Sequence, residues 1–304
     1  MADPAALAAL TPLADDLGVL GIAELHQVGL GPAQLRRLVR AGELKHLRRG
    51  WYAVSSPASP EQAHLQRLRA VERTYAGTAV ASHHSELLLL GLPTFDADLA
   101  VIHLSRRDPQ SQHRHHARVT VHRAPPPEGF LSTGRIHPAL AVVQHGLTSS
   151  GSEALCAADS ALHHALVTAE DLEQAVAWVA RHPRSAHIRS FIRFADGRSE
   201  SVGETRLRHA LHLVGIRTTP QVTISDGGFT ARVDLLVDSS RVVIESDGAM
   251  KYAGDTGRDA LVAEKWREDR LRELGFTVLR VVWRELGDVL ALERRVRAAI
   301  SRAA

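Results

Sequence analysis

The sequence predicts a multidomain α/β chain: an N-terminal winged helix-turn-helix, an α+β middle region, and a C-terminal unit with the element order αβββαβα. Three observations carry this. The chain has 304 residues, 44% of them hydrophobic, enough for two or three domains of roughly 100 to 150 residues each. A short helix, a glycine turn, a second helix and a basic strand pair follow one another before residue 57. Towards the C-terminus, apolar residues recur with period two in some stretches and near 3.6 in others. The expected divisions are 1–57, 58–195 and 196–304.

Composition narrows the classes. No apolar run approaches the roughly 18 residues that span a bilayer. MADPAALAALTPLADD lacks the basic-then-apolar pattern of a signal peptide. These readings place the chain in the cytoplasm with no membrane partner. The single Cys156 can form no internal disulfide and lies in an Ala-rich helical pattern, as a buried thiol would. Net charge is +3, so a nucleic-acid role must rest on where charge is concentrated. There are 18 histidines, with adjacent pairs at His83-His84 and His163-His164. Adjacent side chains point apart, and no His pair at i,i+4 brackets a carboxylate, so the histidines are read as composition and not as a metal site.

In the first division, GIAELHQVGL reads as a helix and Gly29 to Gly31 as a turn. Pro32 opens the next helix, where its missing N–H is harmless. Leu35, Leu38 and Val39 share one helical face, Arg36, Arg37 and Arg40 lie on the opposite arc, and Gly42 ends the helix. LKHLRRGWYAV then gives two short strands around Arg48-Arg49-Gly50, a wing following a helix-turn-helix. Arg36, Arg37, Arg40, Lys45, Arg48 and Arg49 face a single acid, Glu43. Such a field suits the phosphates of double-stranded DNA, and the alternative is a solvated basic surface. The stretch GLGPAQLRRLVRAGELKHLRRGWYAV resembles the winged-helix N-terminal domain of AbiEi-type antitoxins. The resemblance covers about the first fifth of the chain and implies sequence-selective duplex binding.

In the middle division, TAVAS, LAVIHLS and RVTVHRA read as strands, Pro125-Pro126-Pro127 as a loop. Residues 139–193 read as helices broken near Ser149-Ser150-Gly151 and His182-Pro183. Arg106, Arg107, Arg114, Arg118 and Arg123 would extend a phosphate-binding surface or belong to a solvated loop. No chemistry is assigned here; the region reads as a scaffold.

The last division opens with a polar linker, ADGRSESVG. A helix is expected over Gly203 to Val214, with Leu207, Leu211 and Val214 on one side. Strands follow at Gln221 to Ile224, Thr230 to Val237 and Val242 to Asp247, then a helix over Arg258 to Leu274, the strand FTVLRVVW and a helix over Leu286 to Arg302. Within RVDLLVDSSRVVIESDG, a turn at Asp238-Ser239-Ser240-Arg241 makes residues whose numbers sum to 479 face each other. Asp234 then sits opposite Glu245, and Asp247 shares the face of Glu245. Three carboxylates are expected to converge on one sheet edge, where like charges destabilise unless something positive intervenes. Mg²⁺ or Mn²⁺ held by Asp234 and Glu245 meets that need. Ion pairs from Arg232 and Lys251 meet it equally. The helix EKWREDRLRELG pairs Glu264 with Arg267 and Glu268 with Arg272 as a solvated face, Arg267 and Arg270 being alternative phosphate contacts. Trp266 and Trp283 read as core.

The order αβββαβ, with Glu204 on the first helix, Asp234 ending a strand and Glu245 on the next, resembles the PD-(D/E)xK, or restriction-endonuclease-like, fold. VDLLV, VIESDGAMKY and EKWREDRLRELGFTVLRVVW are similar to the uncharacterised branch related to very short patch repair endonucleases, over about the last hundred residues. The resemblance implies that Asp234 and Glu245 bind the metal and that Glu204 orients its water or completes its shell. The third motif position, where lysine is expected, is Asp247; Lys251, or alternatively Lys265, would supply the missing positive charge. The implied activity is a Mg²⁺- or Mn²⁺-dependent DNA endonuclease, targeted by the winged helix in defence or repair. The alternative is an antitoxin-like, DNA-binding transcriptional regulator whose nuclease fold is catalytically inactive. Palindromic half-sites would imply a homodimer, which no residue here fixes.

Overall fold

Glycines at left-handed φ place the N-terminal elements. In the computed structural model, which describes residues 10–107, 117–247 and 257–303, strand β1 (Val19–Gly21) leads into helix α1 (Ile22–Gln27). Gly29 (φ 80°) turns the chain into helix α2 (Pro32–Arg40), and Gly42 (φ 76°) releases it into strand β2 (Lys45–Arg48). Gly50 (φ 82°) reverses it into β3 (Trp51–Ala53). A side chain at these angles would be strained. The three strands pair antiparallel in the order β1-β3-β2 over a core of Leu20, Leu25, Leu35, Leu38 and Leu44. This is the expected helix-turn-helix with a wing. Strand β1 went unforeseen because three residues are too few to show alternation.

The expected break near residue 57 is not a break in packing. Helix α3 (Pro60–Tyr75) sends Leu68 and Val71 into the core of the next sheet. The same helix ties down the first module: Gln66 Nε2 donates to Leu17 O and Ser55 O, Arg69 pairs with Asp15 and Asp16, and Arg73 pairs with Glu24 and lies over the Trp51 ring. Backbone contacts accordingly gather Met1–Glu153 and Ala175–Val179 into one unit, and Ala154–Gln174 and Ala180–Ala304 into another.

In the first unit, α3 is followed by β4 (Ala79–Ala81), helix α4 (His83–Leu89), β5 (Ile102–Arg106), β6 (Val119–His122), the hairpin β7 (Leu131–Ser132) and β8 (Arg135–Ile136), and helix α5 (Pro138–Thr148). The sheet runs β4-β5-β6, with β5 and β6 parallel. Ile102, Leu104, Val119 and Val121 build its apolar face against α3. Alternation sends His103, Ser105, Thr120 and His122 to the opposite face. There His103 Nδ1 meets His122 Nε2 at 2.9 Å, and the His83 and His122 rings stack with centroids 3.8 Å apart. The rings of His84 and His145 stand edge-on to each other, 5.9 Å apart.

These imidazoles have been taken out of water. Burial is the first cause that lowers His103 to about 3 and His84 and His122 to about 4, and it drives His83 well below its ordinary value. All four are therefore neutral at pH 7.

The second unit takes the C-terminal part of helix α6 (Gly151–His163), part of α7 (Ala169–Trp178), α8 (Ser185–Ile192) and α9 (Val202–Leu213). Its sheet is β9 (Thr218–Asp226), β10 (Phe229–Val237), β11 (Val242–Asp247) and β12 (Thr277–Val282), with α10 (Gly257–Glu273) before β12 and α11 (Val289–Ala303) after it. The strand order is β12-β11-β10-β9, antiparallel except for β11 with β12. The expected order αβββαβα is observed, as three layers. Leu235, Ile244 and Val281 pack on Leu207, Leu211, Leu292 and Val296. Val233 and Val243 pack on Leu271 of α10. A buried ion pair, Arg208 to Asp159 at 2.6 Å, joins α9 to α6, and Asp159 also accepts from Thr205 Oγ1 and Asp196 N. Trp266 and Trp283, expected in the core, are 62% and 48% exposed. Trp266 meets Phe229 edge-on and Trp283 carries the Arg206 guanidinium at 4.3 Å.

The neutral histidines predict acid sensitivity. Their unfolded pKa is near 6.5, so between that and about 4 the unfolded chain takes up protons that the folded chain refuses, and stability falls as pH falls. The cost is about 1.4 kcal/mol per pH unit and ring within this window. Glu86, raised to about 7 chiefly by burial despite Arg135 at 2.8 Å, and Glu72, also raised chiefly by burial, oppose this, while His64, lowered by burial, adds to the four rings. Urea unfolding of the first unit is expected to have a lower midpoint at pH 5 than at pH 7; equal midpoints would contradict the neutral, buried state of these rings.

Candidate nucleic-acid interface and acidic row

Helix α2 is amphipathic in the way the sequence predicts: Leu35 and Leu38 are buried, while Arg36, Arg37 and Arg40 are exposed. Lys45 and Arg49 are exposed on the wing. Among the described residues none of these five cations has an acidic partner. Arg36 and Arg40 rim an apolar groove of about 430 Å³ floored by Leu35, Val39 and Tyr52. Arg48 departs from expectation. It is half-buried, acts electrostatically on Tyr75 of α3, and its buried Nη1 has no hydrogen-bond partner, so it does not stand out on the wing with the others. Arg107, Arg118 and Arg123 are exposed; Arg114 lies outside the described residues.

In the C-terminal unit the hairpin register is the expected one. Leu235 pairs with Ile244 and Leu236 with Val243, each summing to 479; the same sum carried one step beyond these pairs sets Asp234 across from Glu245. Strand β9 extends the row. Val222 pairs with Val233 and Pro220 with Leu235, which leaves Gln221 opposite Asp234. Gln221 has a left-handed φ of 54°. Side chains on either side of this row enter opposite cores, Val233 that of α10 and Leu235 that of α9 and α11. On the other flank Glu245 pairs with Arg280 of β12. One row across four strands thus reads Gln221, Asp234, Glu245, Arg280. Asp234 lies within β10 and not at its end.

Each acid is held by its own partners. Glu204 is the N3 residue of α9 under the N-cap Ser201: its N–H donates to Ser201 Oγ, Ser201 Oγ donates to Oε1, and Oε2 accepts from Glu200 N. Gln221 Nε2 donates to the same Oε2 at 2.8 Å, which links this buried glutamate to the row. Asp234 Oδ2 accepts from Ser246 N at 2.9 Å. Glu245 is buried and takes Arg267 Nη2 at 2.6 Å, while Arg267 Nη1 donates to Arg232 O.

The carboxylates expected on this edge are not gathered into one compact set of metal ligands. Among the described residues, Glu204, Asp234, Glu245 and Asp247 do not form a set of three whose ligand atoms lie within 4.8 Å of one another. Glu245 and Asp247 sit two residues apart on one strand, about 6.5 to 7 Å along it. The neutralising charges also differ from expectation. Arg232 pairs with Glu200, not Asp247; Arg267 pairs with Glu245, not Glu264; and Glu264 pairs with Arg280. The pair Arg272 with Glu268 is as expected, and Arg270 is engaged by Glu273. Lys265 is exposed on α10, and Lys251 lies outside the described residues.

Two features escaped the sequence reading. Gln221 is a lone amide in a strand, and its place in the row becomes visible when the β9 register is known. The three side chains that do lie within 4.8 Å are His83, His103 and His122, from one helix and two strands. Testing histidines for adjacency in sequence could not find them.

Residues 9–55 match the family described as "Transcriptional regulator, AbiEi antitoxin", so the N-terminus carries that domain. Two relatives in Mycobacterium tuberculosis, "Uncharacterized protein MT2308" of strain CDC 1551 / Oshkosh and "Uncharacterized protein Rv2248" of strain ATCC 25618 / H37Rv, are each 28% identical over 84% of this chain and 91% of their own length. A solved structure, "Crystal structure of RV2827C protein from Mycobacterium tuberculosis", is similar at TM-score 0.42 and 17% identity, covering 66% of this chain and 78% of that one. No helix among the described residues is long and apolar enough to cross a membrane.

Arg267→Ala leaves the buried Glu245 carboxylate without its guanidinium and is expected to cost about 1 to 3 kcal/mol. In the double variant with Glu245→Gln most of that cost should disappear. Urea denaturation of the four proteins closes the cycle, and additive effects would show that the two side chains are not coupled.

Proposed function

We propose that this chain is a DNA-binding transcriptional regulator of the antitoxin kind, which contacts duplex phosphates through α2 and the wing. The observation that carries the reading is the set of five exposed cations, Arg36, Arg37, Arg40, Lys45 and Arg49, without acidic partners among the described residues and inside the AbiEi-matching segment. Unpaired cations are free to displace counterions from DNA, the main source of sequence-independent affinity. Arg37 and Arg40 also lie in the last turn of α2, where the helix dipole favours positive charge. Base selection would fall to residues on the exposed arc of α2, with phosphate contacts fixing its register.

A second reading, a metal-dependent endonuclease, is supported by the row that sets Asp234 opposite Glu245. The donors fit Mg²⁺ or Mn²⁺: both are hard oxygen ligands, and the Arg267 guanidinium on Glu245 Oε1 stands where a cation would. When bound, such an ion would lower the pKa of a water and neutralise charge growing on the phosphate. Asp234 and Glu245 would hold it once Arg267 moved aside, and Gln221 would keep Glu204 fixed beside them.

Two measurements separate the readings. Replacing Arg36, Arg37 and Arg40 together by Ala is expected to weaken duplex binding by at least about tenfold in gel shifts; unchanged affinity would remove α2 from the interface. Incubation with supercoiled plasmid and Mg²⁺ or Mn²⁺ reads the second. Nicks that need the metal and vanish in Asp234→Ala would make the chain a nuclease, and an intact plasmid would leave it a regulator.

A further inference from the structure

We infer that His83, His103 and His122 form a binding site for a divalent transition metal, with Zn²⁺ the ion that fits best. One ring nitrogen from each lies within 4.8 Å of the other two. The residues come from the first turn of α4, from β5 and from β6, so folding assembles the site and the local sequence does not.

The geometry is close to what an ion would need. Tetrahedral zinc with bonds of about 2.0 to 2.1 Å sets its ligand nitrogens about 3.3 Å apart. His103 Nδ1 and His122 Nε2 are 2.9 Å apart, so a shift of a few tenths of an ångström opens that edge. In the metal-free state one of these two nitrogens carries the proton they share. Metal binding moves that proton to the other nitrogen of the same ring, a change of tautomer with no change in net charge.

A hydrogen-bonded frame surrounds the three rings. Around them, the His103 backbone N–H donates to Ser85 Oγ, and Ser85 Oγ bonds His64 Nε2, which anchors the neighbouring rings and the strand that carries His103. His64 Nδ1 donates to Leu99 O, and His84 Nε2 donates to Val101 O. His83 Nδ1 is 3.0 Å from Ser82 Oγ, which leaves Nε2 as its ligand atom. The Ser82 contact is an outer partner of the kind that fixes ring orientation and tautomer around a metal. His83 also has a left-handed φ of 53°, an angle that costs a non-glycine residue about 1 to 3 kcal/mol and that collects at functional sites. Burial keeps the rings neutral, the protonation state a metal requires.

The ligand set selects the ion. Three imidazoles suit zinc, copper or nickel and are poor ligands for Mg²⁺ or Ca²⁺. With three protein ligands the fourth position is open, the arrangement of sites that exchange a water or a small ligand. His103 and His122 are half-buried, so that position can face solvent while His83 closes the inner side. The site is separate from Asp234 and Glu245, which offer hard oxygen donors in the other unit.

The test uses the full-length chain without an affinity tag, stripped with a chelator and titrated with Zn²⁺ against a competing chelating dye. One equivalent is expected to bind. His103→Gln and His122→Gln should each weaken it by more than the roughly 10- to 100-fold that losing an outer partner costs. Both variants must keep the wild-type circular dichroism for the comparison to stand, and they spare the backbone position His83 occupies. In the Asp234→Ala, Glu245→Ala double variant the equivalent should remain. Co²⁺ in place of Zn²⁺ should give the visible absorption of a tetrahedral nitrogen site in wild type and lose it in both histidine variants. No stoichiometric Zn²⁺ binding by the wild type, or binding that folded His103→Gln and His122→Gln both retain, would overturn the proposal.

Discussion

The register of β10 between β9 and β11 is the constraint on which the C-terminal unit depends. Strand side chains alternate, so a slip of one residue would move Leu235 and Ile244 out of the core under α9 and α11. It would also put Asp234 and Glu245 among apolar neighbours. The register that buries the leucines is therefore the one that lines up Gln221, Asp234, Glu245 and Arg280. The row interrupts an otherwise apolar sheet, and partners on three elements satisfy it: Ser246 N within the sheet, Arg267 from α10, and Glu204 from α9 through Gln221. A buried carboxylate without such partners would cost several kcal/mol.

A similar logic governs the first unit, with imidazoles in place of carboxylates. The sheet of β4, β5 and β6 has one apolar face and one histidine face, each covered by helix. Filling the second face with aliphatic side chains would be simpler and would avoid the depressed basicity of His83, His84, His103 and His122. For His83, His103 and His122 the arrangement is explained if the rings do something that leucine cannot, which is to donate lone pairs to a common point.

Much of this was legible in sequence, and the boundary is physical. Helices and strands followed from period and punctuation: Gly29, Gly42 and Gly50 marked turns that the backbone takes at positive φ. The hairpin sum of 479 followed because a short turn fixes register locally. What failed depended on contacts distant in sequence. Arg267 reaches Glu245 across 22 residues instead of Glu264 at helical spacing, and Arg232 reaches Glu200 across 32. Helix α3 closes the first module although that module was expected to end near residue 57. Trp266 and Trp283 are large enough to read as core, and stay exposed because a neighbouring ring or guanidinium covers one side. The histidine cluster unites residues from 83 to 122, a span that no local pattern encodes.

The N-terminal module shows how modest charge can be made effective. The whole chain carries a net charge of +3, yet α2 and the wing present five cations without acidic partners among the described residues. If these neutralise phosphates, affinity must fall with salt by about 0.9 log unit per log unit of salt for each phosphate contacted. Fluorescence anisotropy of a labelled duplex across a salt series measures that slope directly. A slope equivalent to about four or five contacts, reduced by about three in the Arg36, Arg37 and Arg40 triple Ala variant, is the predicted result. A slope near zero, or one that the triple substitution leaves unchanged, would contradict the account.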